Sequence, residues 1–403
     1  MSELLRKIDS IALLRGVRYK EPLNSLCNFL KLRENGGGAT IEQLIESYST
    51  FVSVLYNLRV DADLSAAIWD ALADDMNPLI KNRIDGIIAP DETREMSTLI
   101  KLTGERELNL LTEIGSYTST KFKDGMYYDG YLADFRSSKI DFRERYMKML
   151  EELPRKGYGI YSKYLMFKID KGEVVPVKHP DPIREEELFC YDRQRNLVID
   201  NTRAFLNGKP AADILLYGDA GTGKSSTVKA VARKFGNEGI RLVELPKSEI
   251  GGLSYVIEKL SMVPMKFILF IDDISFDAND ERIGSLKSIL EGAASGDRRN
   301  IIIYCTSNRR HIIKETFSDR NDEVHSSDTI AEQMSLSERF GLRILFDKPN
   351  KATYIEIVKM LCKLRGITEK TDEELELGAE QYALRNGGRS ARLARQYVDY
   401  LET

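Results

Sequence analysis

Residues 214–226, ILLYGDAGTGKSS, decide the fold of this chain. The octet GDAGTGKS, Gly218 to Ser225, fits the pattern GxxxxGK[ST]; it follows the apolar run Ile214 to Tyr217 and precedes a stretch of helical periodicity from about Lys224. Motif and context agree on a strand, a glycine-rich turn and a helix. Gly218, Gly221 and Gly223 let the backbone turn tightly, so that successive N–H groups from Asp219, Ala220 and Thr222 through to Ser226 aim inward at anionic oxygens, at the positive end of the following helix. Lys224 then reaches the β and γ phosphates of a nucleotide, and Ser225 offers a hydroxyl to a Mg²⁺ that bridges them. A glycine-rich turn with a solvated lysine explains neither the spacing nor the placement.

Downstream, apolar runs alternate with helical stretches. Leu242 to Leu245, Phe267 to Ile271 and Ile301 to Tyr304 are near-continuous apolar runs, as in a parallel sheet covered on both faces. The expectation is an α/β, doubly wound domain over 185–348. From Lys351 onward Tyr354, Ile357, Val358 and Leu361 recur helically and no strand follows, which predicts a small helical lid over 349–403. Upstream, residues 1–180 read as a mostly helical domain: Ile41, Leu44, Ile45 and Tyr48 share one face behind Thr40 and Gln43 at capping-box spacing, and Leu64, Ile68 and Leu72 continue the period beside Trp69. That stripe is core, with no chemistry assigned. The segment Tyr127 to Lys168, rich in Tyr, Phe, Arg and Lys, suits either base stacking or an amphipathic helix pair. Three prolines and a charged run in Lys171 to Glu187 mark a connector between domains.

With 403 residues the chain has room for two or three domains. A net charge of −4 supplies no global field for nucleic acid. The amino terminus lacks the unbroken apolar core of a signal peptide, and no run elsewhere is long enough to span a bilayer. Four cysteines far apart and three histidines suggest neither a zinc site nor a disulfide framework, so a cytoplasmic setting is expected.

A second motif stands about fifty residues past the loop. KFILFIDD, Lys266 to Asp273, is an apolar run ending in two acids, at the sheet edge where parallel α/β domains bind ligands. Asp272 is the expected Mg²⁺ ligand and Asp273 the group that orients the attacking water. A strand ending in two acids is by itself equally a turn or cap signal.

Taken in order, these residues resemble the AAA+ superfamily of P-loop ATPases, with Asp272 and Asp273 similar to its Walker B segment. IIIYCTSN, Ile301 to Asn308, ends where those proteins carry sensor 1, which makes Asn308 the matching residue. SLSERFG, Ser335 to Gly341, is similar to the arginine-finger box and places Arg339 at the finger. A finger acts on a neighbour's nucleotide, so the resemblance implies a homo-oligomer. NGGRSARLARQY, Asn386 to Tyr397, looks like sensor 2, in which Arg389 matches best and Arg392, three positions on, is the alternative. Tyr191, in a stretch that resembles the linker crossing the adenine, is placed near the base.

The likeness covers roughly 185–403. It extends to a bacterial family of AAA+ ATP-binding proteins with a helical amino-terminal region and, at greater distance, to replication-initiator and helicase-loader ATPases. It implies ATP or ADP with Mg²⁺ and hydrolysis coupled to rearrangement of a protein partner, with nucleic acid as the alternative partner.

Three departures bear on this. The second acid is Asp273 rather than the glutamate common in the superfamily; the segment PKSEIGG after Leu245 lacks an aromatic pore loop; and Arg309 to Met334 is a long polar excursion. The first two motivate an alternative, a nucleotide-gated adaptor or loader with slow turnover. A P-loop kinase fits the ordered motifs less well.

Overall fold

The structure is a computed structural model that describes residues 2–34, 38–88, 94–181, 185–276, 280, 282–291, 298–308, 336–368 and 370–402. It divides into two compact units, Met1–Lys163 and Tyr164–Thr403.

The first unit is helical. Its helix Ile41–Leu58 starts at the expected box: Thr40 N donates to Gln43 Oε1 at 3.0 Å, and Gln43 N to Thr40 Oγ1 at 3.4 Å. On the helix Leu64–Ala73 the residues Leu64, Ile68 and Leu72 are fully buried. Trp69 packs against Phe142 and Tyr146, with the Arg145 guanidinium 4.3 Å over its ring, so the stripe is core. The aromatics of 127–168 divide: Phe135, Phe142, Tyr146 and Phe167 are buried, while Tyr127, Tyr128 and Tyr131 are exposed. That distribution follows an ordinary amphipathic packing pattern.

The second unit is built on a seven-stranded sheet. Its strands are β1 (Met166–Asp170), β2 (Glu173–Pro176), β3 (Ile214–Gly218), β4 (Ile240–Glu244), β5 (Lys266–Ile271), β6 (Ile301–Ser307) and β7 (Leu342–Phe346), in the order β2-β1-β4-β5-β6-β3-β7. Every pairing is parallel except the β1/β2 hairpin. The central strands are buried along nearly their whole length, as expected of near-continuous apolar runs covered on both faces: all seven residues of β6 are buried.

Two features differ from the sequence reading. Residues 164–180, taken with the helical domain, and the start of the 171–187 connector instead form β1 and β2, and the compact units part at Lys163 and Tyr164. Met166, Phe167 and Ile169 are buried, and their short alternation is masked in sequence by the aromatic and basic residues around it. The turn sits at Lys171 and Gly172, both at positive φ, and Pro176 ends an edge strand, where a missing N–H is tolerated. The sheet is therefore mixed at that edge. β7 is the second addition; its run LRILF is too short and too interrupted by Arg343 to announce a strand by itself.

Parallel pairing brings four strand ends to one edge. Tyr217 pairs with Ser307, Gly218 with Phe346 and Ile271 with Cys305, so the ends of β3, β5, β6 and β7 lie side by side. After β7 come the helices Lys351–Arg365, Asp372–Arg385 and Ala391–Leu401, capped by Asn350, Thr371 and Ser390. They enclose a core of their own, including Tyr354, Val358, Leu361, Ala379 and Val398. The excursion at 309–334 lies outside the described residues. No described helix is long and apolar enough to cross a membrane.

Candidate active site

The turn after β3 is shaped by glycine. Gly218 has φ 126°, and a Cβ there would stand 2.3 Å from the Phe346 carbonyl oxygen, so β7 approaches too closely for any side chain. Gly221 and Gly223 are also at positive φ, 74° and 94°. The helix Lys224–Lys234 starts directly from the turn, which aims its free N–H groups into the space above the sheet edge.

Lys224 is almost fully buried, and its Nζ donates to the Gly218 carbonyl at 3.0 Å and the Asp219 carbonyl at 2.6 Å. Burial lowers its pKa, with the carboxylates of Asp219, Asp273 and Asp272 opposing the shift. An ammonium held so is costly unless further anionic charge is near. Asp219 ties the turn to the chain after β7, because its Oδ2 accepts the Lys348 N–H at 3.0 Å.

The acids follow β5. Asp272 Oδ1 accepts hydrogen bonds from Ser225 Oγ and from Thr306 Oγ1, each at 2.5 Å. Asp273 Oδ1 accepts from Asn308 Nδ2 at 2.8 Å, and Lys247 Nζ lies 3.7 Å from its Oδ2. Asp273 sits at φ 52°, in the left-handed region that non-glycine residues seldom occupy. Tyr191 stacks on Phe346 with ring centroids 5.2 Å apart and donates from its hydroxyl to the Asp347 carbonyl at 2.6 Å; burial pushes its phenol up to about 12.

A cleft of about 540 Å³ joins these groups: residues 220–226, Asp272, Asp273, Asn308 and Tyr191 line it, and Arg392 closes it from the lid. The lid touches the turn through its backbone, with Arg392 N donating to the Gly221 carbonyl at 3.1 Å.

Two arginines lie elsewhere. Arg389, preferred in sequence over Arg392, is engaged by Glu380 through Nε at 2.8 Å and Nη2 at 2.6 Å and does not line the cleft. The reason is the cap: Ser390 starts the last helix, so Arg389 precedes it, whereas Arg392 occupies its first turn beside Gly221. Arg339 pairs with Glu291 and is likewise not among the cleft residues.

Two cleft residues, Arg395 and Thr306, and one beside the cleft, Lys247, escaped the sequence reading. Arg395, one turn beyond Arg392, pairs with Glu187 at 3.2 Å. Lys247 follows β4. Thr306 is a hydroxyl at the end of a mostly apolar strand, two residues before Asn308, and that position was its only signal.

The family model described as protein of unknown function, DUF815, matches residues 162–403. The chain belongs to this family. An AAA-ATPase of Arabidopsis thaliana is 30% identical over 116 residues, 27% of this chain and 21% of that protein, so this DUF815 member spans about a fifth of the curated relative's length. Among solved structures, the Thermotoga maritima RuvB Holliday junction branch migration motor and a point variant of it each align with a TM-score of 0.39 at 18% identity, over 55% of this chain and 64% of theirs. The parallel sheet, the glycine-rich turn after β3 and the helical lid give this DUF815 member an α/β P-loop fold.

Proposed function

We propose that the chain binds ATP with Mg²⁺ and hydrolyses it to ADP and phosphate, driving conformational or assembly changes on a protein partner. One observation carries this: a buried lysine, a serine hydroxyl bonded to a carboxylate, a second carboxylate held by an asparagine, and a lid arginine converge on one cleft. The donor set suits the metal, since Ser225 and Asp272 offer only hard oxygen atoms. Among the described residues no cluster of three His, Cys, Asp or Glu side chains stands ready to hold a metal. A cation that takes one or two protein oxygens, and the rest from phosphate and water, is the kind this site fits.

In this reading the backbone N–H groups of 220–226 cradle the phosphates and Lys224 neutralises their outer charge. Ser225 and Asp272 would hold Mg²⁺, which when bound would supply positive charge beside the transferring phosphoryl group. Asp273, oriented by Asn308, positions a water whose oxygen bonds to the γ phosphorus as the bond to the bridging oxygen breaks. The electron pair leaves with ADP, and the water's proton passes through Asp273 toward solvent. Tyr191 lies at the base end.

The lid arginine in this reading is Arg392. Arg392→Ala is expected to raise the Kd for ATP about tenfold, the loss of one charge-assisted contact. Arg389→Ala, by contrast, breaks an ion pair within the lid and leaves that Kd unchanged. Equilibrium binding of a fluorescent ATP analogue to both variants checks the pair, and the reverse ranking would restore Arg389 to the site.

Arg339, away from its own chain's cleft, is the group to act on a neighbouring copy. The test is mass in solution: with ATP and Mg²⁺ the chain is expected to move from single-chain mass to a multiple of it, and Arg339→Ala is expected to assemble yet lose about 10³-fold in turnover. A nucleotide-bound monomer with full activity would remove the trans role.

A second reading, an adaptor that turns over slowly, is favoured by the engagement of both Asp273 oxygens with Asn308 and Lys247. Fast multiple turnover by the chain alone excludes it.

A further inference from the structure

We propose that Thr306 is the residue that sets the geometry of the two acids, a positioning residue that acts through Asp272 and Asp273. The proposal rests on the nucleotide-site reading above. Thr306 is 1% exposed, on β6 beside the end of β5, and a hydroxyl buried so deeply must find partners. It has one proton to give and gives it to Asp272 Oδ1 at 2.5 Å; it has lone pairs to offer, and one accepts the Asp273 N–H at 2.8 Å. Its carbonyl accepts the Ile274 N–H at 2.7 Å, and Ser307 Oγ donates to the Ile274 carbonyl at 3.0 Å. Three consecutive residues after β5 are thereby pinned to two on β6.

This pinning matters because of the backbone it restrains. Asp273 lies at φ 52°, and such a conformation persists only where neighbouring groups over-determine it. The Thr306 hydroxyl is the partner of Asp273's own N–H, at the residue whose backbone is left-handed. With Ser225 it is also one of two hydroxyls that fix the same oxygen of Asp272. Remove the hydroxyl and two things loosen together: the carboxylate that holds the metal in the proposed site and the backbone that aims Asp273. A threonine needed only for strand packing would do neither, since valine matches its shape and suits a buried strand as well.

The experiment uses the full chain as wild type, Thr306→Val and Thr306→Ser, with Thr306→Ala carrying the same expectation as valine should the valine variant not fold. One readout needs no nucleotide: in crystal structures, Asp273 is expected to leave the left-handed region in Thr306→Val and to keep it in Thr306→Ser. The other compares ATP binding in EDTA with the Mg²⁺ dependence of turnover. In Thr306→Val the Mg²⁺ concentration for half-maximal turnover is expected to rise about tenfold and kcat to fall about tenfold or more, as for loss of a supporting hydrogen bond behind a metal ligand. Mg²⁺-free ATP affinity stays within about threefold, and serine restores both parameters to within about threefold. An Asp273 backbone that does not move, with an unchanged Mg²⁺ dependence in an active Thr306→Val, overturns the proposal and leaves the site reading intact. A wild-type chain that binds no adenine nucleotide overturns the site reading and this proposal with it.

Discussion

Lys224→Ala is expected to abolish ATP binding while leaving the chain folded. The ammonium is buried on two carbonyls, Gly218 and Asp219, and burial, with the Arg392 charge beside it, depresses its pKa. In the proposed complex the triphosphate is the compensating charge. Removing the lysine leaves buried phosphate oxygens without their cation, which costs at least about 3 kcal/mol, or about a hundredfold in Kd. Without ligand the arithmetic runs the other way, because the variant no longer desolvates an ammonium, so thermal stability should hold. Calorimetric titration with ATP and Mg²⁺, beside a melting curve, separates the two terms. Wild-type heat of binding in a folded Lys224→Ala protein would show that the turn is not where phosphate goes.

The second large effect is expected at Asp273, with the opposite division between binding and chemistry. Asp273→Asn should bind ATP within about threefold of wild type and lose turnover by about 10²- to 10⁴-fold, the range for removing a general base. Asparagine is the instructive substitution. It tolerates the left-handed backbone that Asp273 occupies at φ 52°, whereas alanine would combine loss of the carboxylate with backbone strain. Asparagine also keeps an oxygen for Asn308 Nδ2, now 2.8 Å from Oδ1. Single-turnover measurement of phosphate release from pre-bound ATP reads the chemical step directly. A variant that releases phosphate at the wild-type rate would move the water-orienting role to another residue.

What could be read in the sequence divides along physical lines. The turn at 218–225 and the acids after β5 are local: spacing, glycine content and an apolar run each leave a mark within a dozen residues, and the structure brings them to one cleft. Asn308 also joins them there, because β6 pairs in register with both β3 and β5. The misjudged elements depend on distant pairings. β1 becomes a strand by lying against β4, and β7 by lying against β3, and neither has enough apolar length to declare itself. Arg392 rather than Arg389 lines the cleft for a local reason: with Ser390 as cap the last helix starts at Ala391, and Arg389, ahead of it, pairs with Glu380. Thr306 was passed over because a threonine in a buried strand is unremarkable until its two partners are known. Ser335 of the finger box and the whole of 309–334 lie outside the described residues.

The bond from Arg392 N to the Gly221 carbonyl runs from peptide group to peptide group. Substituting the arginine therefore cannot delete it, and the clasp between lid and turn survives every substitution at 392 except proline. Shape is the other control. A Cβ at residue 221 would meet Ser390 Oγ at 3.0 Å and Arg392 Cβ at 3.3 Å, so the bare glycine is what lets the two peptides meet. Any larger residue there would be strained at φ 74° and would press the start of the last helix outward by a few tenths of an ångström, so the seat of the lid is set by an absent side chain.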